Sequence, residues 1–320
     1  MTDASSLKRK DDDEISAQPA ATRRKAFVKE WSITFDQTQG LRTLVDVVGN
    51  ILTSINFRIT YDQKRASHFL CIDSIDPQHV CMIQARLLCE KVYNIEEDQY
   101  FCIDSSLINL VLKNVAQHYS LDLIKYRDSA DIHIDAYETL SNSHHTNYVL
   151  PTLVDAGETM KLKDQNYKYI VEIDLGMLRQ IVKMGMAFHS QDLNLEVRVS
   201  DSDASSDKVS RTTFTIASKG DAYQSHNFHS ATVSDGGEKQ DSYVIRAVTD
   251  STAPDGQAND MVPVYTDTFS ASYLNMFLKS MERQIITMKL SQDKPLLVHY
   301  PLGADKSYIC FVLAPKTSEQ

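Results

Sequence analysis

Glycine and proline are scarce, ten and eight residues in 320, which excludes collagen-like and glycine-rich low-complexity architectures. Cysteine is scarcer still: Cys71, Cys81, Cys89, Cys102 and Cys310 are odd in number and contain no CxxC pair. That excludes a disulfide framework or a zinc ribbon, and it reads as reduced, buried strand cysteines of an intracellular protein. No apolar run approaches the ~20 residues of a membrane span, and no signal peptide precedes the folded part. Also missing are GxxxxGK[ST], GxGxxG, GxSxG and HExxH. His144-His145 and the pair His226 and His229 have no matching set of Cys, His or carboxylate ligands, so no metal or other cofactor is expected. No carboxylate pair can be placed as a catalytic dyad, and the sequence points away from an enzyme.

What the chain has is acid and a repeat. The net charge is −10 and 42% of the residues are hydrophobic, which suits one or two ordinary domains with true cores. The acidic balance opposes a surface made throughout to attract DNA, and leaves room for a local basic lining. A unit of strand, Asp, helix, strand occurs four times, around Asp36, Asp104, Asp174 and Asp267. An Asp at a strand end is a good N-cap, because its carboxylate accepts amide protons of the first helical turn. In the last unit Ser270 is the alternative cap. Helix 105–117 places Leu107, Ile108, Val111, Leu112 and Val115 on its apolar side, and helix 175–186 does so with Leu178, Ile181 and Val182. Near the C-terminus Tyr273, Leu274, Phe277, Leu278 and Met281 recur at spacings of three and four.

In chain order, residues 1–25 hold no hydrophobic period and read as a disordered tail. Its clusters Lys8-Arg9-Lys10 and Arg23-Arg24-Lys25 fit a bipartite nuclear-import signal or a solvating tail. Residues 26–138 form a first domain and 139–166 a connector, in which 144–150 can pair as a strand. A second domain covers 167–316, with polar loops near 200–210 and 250–260, and 317–320 is a C-terminal tail. The fold class is α+β, two similar domains of two strand–helix–strand units each, with helices on one face and antiparallel sheets on the other. Opposite the core stripes stand Arg42, Lys113, Arg179, Lys183 and Lys279. Gathered on one surface they suit a phosphate backbone; taken singly they are ordinary solvated helix faces.

Four local patterns carry a resemblance. CIDSIDPQHVCMIQARL (71–87) is similar to a loop and strand with the pattern Met-Asp-Ser-Ser-His-Val. YLNMFLKSM (273–281) is similar to a Tyr-Leu-Asn-Phe-Phe helix, KPLLVHY (294–300) to Val-Pro-Leu-Val-Val-Glu-Tyr, and VLAPK (312–316) to a C-terminal Leu-Ala-Pro-Lys. The chain from about residue 30 onward thereby resembles the DNA sliding clamps of the proliferating cell nuclear antigen family.

The resemblance implies a homotrimeric ring, head-to-tail through Tyr148 and Leu150 on one edge strand and Tyr223 and Phe228 on another. It implies a processivity factor that encircles double-stranded DNA without reading sequence, with the five helix cations facing the channel, in the nucleus. It implies a clamp loader, DNA polymerase and other partners carrying a short hydrophobic motif. Their pocket would comprise Ile75, His79, Met82, Met160, Leu162, Pro295, Val312, Ala314 and Pro315. Pro77-Gln78 replaces two serines of the family pattern, Met160-Lys161-Leu162 replaces Leu-Gly-Ile, and Val312 stands where the family has an aromatic. A heteromeric, checkpoint-clamp-like adaptor of the same fold is the alternative.

Overall fold

The computed structural model describes residues 28–138, 145–154, 166–200, 209–233, 243–247, 262–279, 284–303 and 306–316. The basic clusters of the tail, Met160, Leu162 and nearly all of the two polar loops lie outside these residues.

The first half runs β1 (Lys29–Phe35), α1 (Gln39–Val48), β2 (Ser54–Asp62), β3 (Ser67–Ile75), β4 (Cys81–Leu88) and β5 (Lys91–Tyr93). It continues through β6 (Gln99–Asp104), α2 (Ser105–Asn114), β7 (Tyr119–Tyr126), β8 (Ile132–Glu138) and β9 (His145–Leu150). After the connector come β10 (Tyr169–Asp174), α3 (Leu175–Ala187), β11 (Asp192–Ser200), β12 (Val209–Lys219), β13 (Tyr223–Val233) and β14 (Tyr243–Ala247). The chain closes with β15 (Val262–Ser270), α4 (Ala271–Leu278), β16 (Ile285–Leu290), β17 (Leu296–Pro301) and β18 (Tyr308–Leu313).

Three sheets result, in strand orders β5-β1-β7-β8-β9, β14-β10-β16-β17-β18-β4-β3-β2-β6 and β13-β12-β11-β15. Their described pairings are antiparallel except β10 with β14, which run parallel. The nine-stranded sheet unites the halves, because β18 pairs with β4 in the register Val312↔Met82 and Cys310↔Gln84. One buried core runs beneath both halves, and Phe277 of α4 stacks on Phe311 of β18 with ring centroids 4.2 Å apart.

The expected caps hold at two helices of four. Asp104 Oδ1 accepts the amide protons of Ser106 and Leu107 at 2.8 and 3.0 Å, and Asp174 Oδ1 accepts that of Met177 at 2.9 Å. At α1 the N-cap is Thr38, and Asp36 instead meets Lys91 at 3.4 Å. The Thr38 hydroxyl is directed at the carbonyls of Ala116 and Gln117, so it ties the start of α1 to the end of α2 rather than capping its own helix. At α4 the N-cap is Ser270, the alternative to Asp267, and its side chain makes no capping hydrogen bond. Helix α2 also stops at Asn114, short of the expected residue 117, because buried Val115 turns into extended backbone.

Candidate functional site

The four helices pack as one layer in the order α2-α1-α4-α3, with the sheets behind them. Its charge is unlike that of the chain. Of 43 Asp and Glu residues only Asp46 lies within these helices, against Arg42, Lys113, Arg179 and Lys183, with Lys279 as the C-cap of α4. Lys113, Lys183 and Lys279 are exposed and Arg42 is half-buried. Lys113 Nζ stands 3.6 Å from Asp46 Oδ1, which also accepts from Asn109 at 3.1 Å, so α1 and α2 are joined by a polar contact that takes up part of the charge. Arg179, expected to point outward, is half-buried, and its Nε donates to the carbonyl of Leu278 at 2.8 Å. A guanidinium there satisfies a C-terminal carbonyl of α4 and favours its negative dipole end. Beside it Gly176, Gln180, Lys183 and Met184 line a shallow open depression on the outer side of α3.

The two strands expected to join subunits are both sheet edges, β9 and β13. Of the four side chains assigned to that contact, Leu150 and Phe228 are buried in the chain's own core, Tyr148 is half-buried and Tyr223 is 71% exposed. Exposed apolar groups flank each edge. Leu107 and Leu110, 41% and 61% exposed, project from α2, which lies against β9; the helical pattern placed Leu107 on the core side. Near β13 stand Met186 and Phe188 at the end of α3. Backbone holds that end in place: the Asp221 amide donates to the Phe188 carbonyl at 2.7 Å. A Cβ on Gly220 would meet the Phe188 carbonyl oxygen at 1.9 Å, so only glycine fits.

On the face of the nine-stranded sheet away from the main core, Met82, Leu297, Cys310, Val312 and Tyr167 form a second apolar cluster, with Tyr308 packed against it. Burial there pushes the Tyr167 hydroxyl up to about 12, with the neighbouring Cys310 adding to the effect. The Lys294 ammonium sits over the Tyr167 ring, 5.7 Å from its centroid. Met82 and Val312 of the expected pocket are thus paired neighbours, while Ile75, Pro295 and Pro315 are half-buried, and His79 and Ala314 exposed. Sequence reasoning missed Tyr167, Leu297, Cys310 and Tyr308. The unbroken apolar runs Leu296-Leu297-Val298 and Cys310-Phe311-Val312 were the available signal, since a strand buried on both faces loses its alternation.

The loop beside this cluster is held by Asp76. Its carboxylate accepts the amides of Gln78 (3.1 Å), Val80 (2.8 Å) and Cys81 (2.5 Å) and the Tyr273 hydroxyl of α4 (2.6 Å). Burial alone would raise its pKa; Tyr273 and the three amides outweigh that and lower it. These bonds also fix His79 at φ 56°, a left-handed conformation that a lone histidine seldom adopts.

No family model matches the sequence, and no curated protein matches it. Solved structures do. Proliferating cellular nuclear antigen from Entamoeba histolytica is 12% identical and superposes with a TM-score of 0.66, over 91% of this chain and 100% of its own. PCNA from Thermococcus kodakaraensis is 16% identical, with a TM-score of 0.63 over 89% of this chain and 100% of its own. The chain has the sliding-clamp fold.

Proposed function

We propose that this chain is a DNA sliding clamp: three copies close head-to-tail into a ring around double-stranded DNA, and the ring tethers a DNA polymerase and other partners. The distribution of charge over the helix layer carries the reading. A chain with ten more acidic than basic residues has one carboxylate and four cations within those helices, with Lys279 as a C-cap and Asp104 and Asp174 as N-caps at the border. Such a wall attracts phosphate without reading bases, and contacts of that kind permit sliding. Two edge strands carrying unlike apolar neighbours suit a heterologous contact that closes on itself. The Met82–Val312 cluster is the seat for a short hydrophobic partner motif, and a clamp loader opens the ring. The two basic clusters of the tail support a nuclear location. No catalytic step is part of the proposal.

The mass of the protein in solution at micromolar concentration tests the ring. We expect three times 36.2 kDa. A strict monomer with and without DNA overturns the proposal, and assembly only with two different chains supports the adaptor reading instead. Once loaded, the ring should remain on closed circular DNA and leave when the circle is cut. Retention on the linear product would rule out encirclement.

A further inference from the structure

The two halves begin alike. The run Trp31–Asp36 that leads to the first helix repeats as Tyr169–Asp174, so Lys29 stands where Tyr167 stands, two residues before a buried aromatic. In the second half the incoming chain folds over the outer face of its sheet. Tyr167 packs there with Leu297 and Val312, and Lys294 of the β16–β17 turn donates to the Asn166 carbonyl. In the first half a bulge between Lys29 and Trp31 brings Lys29 to the matching face, opposite Tyr126. One row of that face holds Tyr93, Ile124, His133 and Val149, with Tyr93 56% and Val149 48% exposed. In the next row Asp122 and Asp135 stand directly opposite each other on β7 and β8, an unfavourable like-charge pair. His145, 3.6 Å from Asp135, relieves it only when protonated. Asp128 and Asp131 add two carboxylates at the β7–β8 turn, against the cations Arg127 and Lys29.

We propose that this face is the seat of the chain's own residues 23–27, which precede the described part. Arg23-Arg24-Lys25 lies over the carboxylates of β7, β8 and their turn, and Phe27 lies against the Tyr126–His133 ring pair. The repeat decides the place, because the second half already covers its matching face with the residues that lead into β10. Length permits it. Lys25 and Arg23 stand three and five residues before Val28, a reach of roughly 10 and 17 Å, enough to cross the turn and β8. Charge selects this cluster over the other. Lys8-Arg9-Lys10 is followed at once by Asp11-Asp12-Asp13-Glu14, whereas no carboxylate lies between Glu14 and Glu30. The contact is the second half's with its signs exchanged: there the turn supplies the cation, here the incoming chain does. Docking withholds the cluster from any phosphate or acidic receptor, so such partners and salt release it. The inference rests on neither the ring nor DNA, and it survives if the chain proves to be a monomer.

Trypsin cuts after Lys and Arg, and so reads the accessibility of both clusters in one full-length chain. At low salt the bonds after Arg23, Arg24 and Lys25 should be cut roughly tenfold more slowly than in a synthetic peptide of residues 1–27. Those within Lys8-Arg9-Lys10 should be cut as in the peptide. Protection should vanish in about 0.5 M NaCl, where exposed charges are screened. It should also vanish in the turn variant Asp128→Asn with Asp131→Asn. A carbodiimide, which joins amines to carboxylates, should link Lys25 to Asp128 or Asp131 within one chain. Equal treatment of the two clusters, or protection that survives both salt and the double variant, overturns the proposal. Links from Lys25 to a second chain would give the face to a neighbour's tail, and links to carboxylates elsewhere would give the cluster another seat. Either result refutes the contact. Should the double variant fail to fold, the salt series and the cross-link on the unmodified protein decide.

Discussion

The two halves repeat a fold without repeating its charge. In the first half the helices expose Leu107 and Leu110, and the one lysine there stands beside Asp46. In the second half Lys183 and Lys279 are exposed with no carboxylate within ion-pair distance among the described residues, and Arg179 is engaged in holding α4. One helix pair therefore exposes more apolar surface, the other more positive charge. Pseudo-symmetry of backbone thus does not imply equal shares of function, and each half can be disabled by a different substitution.

The largest effect should come from the bond that keeps the halves in register. Asp76→Ala removes the acceptor for the Val80 and Cys81 amides and for Tyr273, and should cost roughly 3 kcal/mol, read from urea unfolding. Tyr273→Phe should cost less, since the amide bonds survive. The pH dependence has a definite sign. A carboxylate whose folded pKa lies below its unfolded value near ~3.9 stabilises above that pH and loses the contribution as pH falls through the lowered value. Equal acid sensitivity of wild type and Asp76→Ala would remove Asp76 from this role.

Next comes Leu110→Glu on the apolar pair. An unpaired carboxylate buried at a subunit contact is strongly unfavourable, so the dissociation constant for self-association should rise at least ~30-fold with the fold intact. Sedimentation measures it, and an unchanged constant would place the contact elsewhere. The charge contrast follows in size. Reversing Lys183 and Lys279 should flatten the dependence of log K for duplex DNA on log salt by roughly 0.9 per lysine in contact. Reversing Arg42 and Lys113 should flatten it less, because Asp46 already offsets Lys113, and Asp46→Asn alone should tighten binding a fewfold. Equal slopes for the two double variants would abolish the distinction between the halves.

How much of this was legible in the sequence follows from what each residue needs. Strand–helix alternation and the antiparallel strands were legible, because period-two and helical patterns arise from local burial and appear in any window. Asp104 and Asp174 were legible as caps, since capping depends on neighbours within three residues. Asp36 was not, because its fate depends on Lys91 and on Thr38 turning to Ala116 and Gln117, about eighty residues away in sequence. The same holds for Arg179 with Leu278 and for Asp76 with Tyr273: a side chain's partner across the fold leaves no periodic trace. The cluster around Met82 was half legible. The resemblance supplied Met82 and Val312 and the apolar runs at 296–298 and 310–312 pointed to Leu297 and Cys310, whereas Tyr167 reaches the cluster only through the fold. Leu107 failed for a different reason, since the helical period marks an apolar side and cannot say whether its border meets the core or another molecule.

The smallest effect concerns pH at the second-half edge. His226 lies on β13 in the row of Ile216 and Leu195, the side turned toward the core, and burial lowers its pKa below the ordinary 6.5. The charged residues Glu196 and Arg198 occupy alternate rows on the opposite side, and the His189–Asp221 pair sits beyond the start of the strand. If β9 of a neighbouring copy covers this edge, the ring loses more water and its pKa falls further. Association then binds fewer protons than the free chains do, so it is at full strength above the free-chain pKa and weakens as pH drops through it. Between pH 7 and pH 5.5 the wild-type dissociation constant should rise severalfold, whereas that of His226→Gln should change less. His145 beside Asp135 on the other edge is retained in both proteins, so its contribution cancels in the comparison. Identical pH profiles would show that His226 stays as wet in the assembly as in the single chain, and would move the contact off β13.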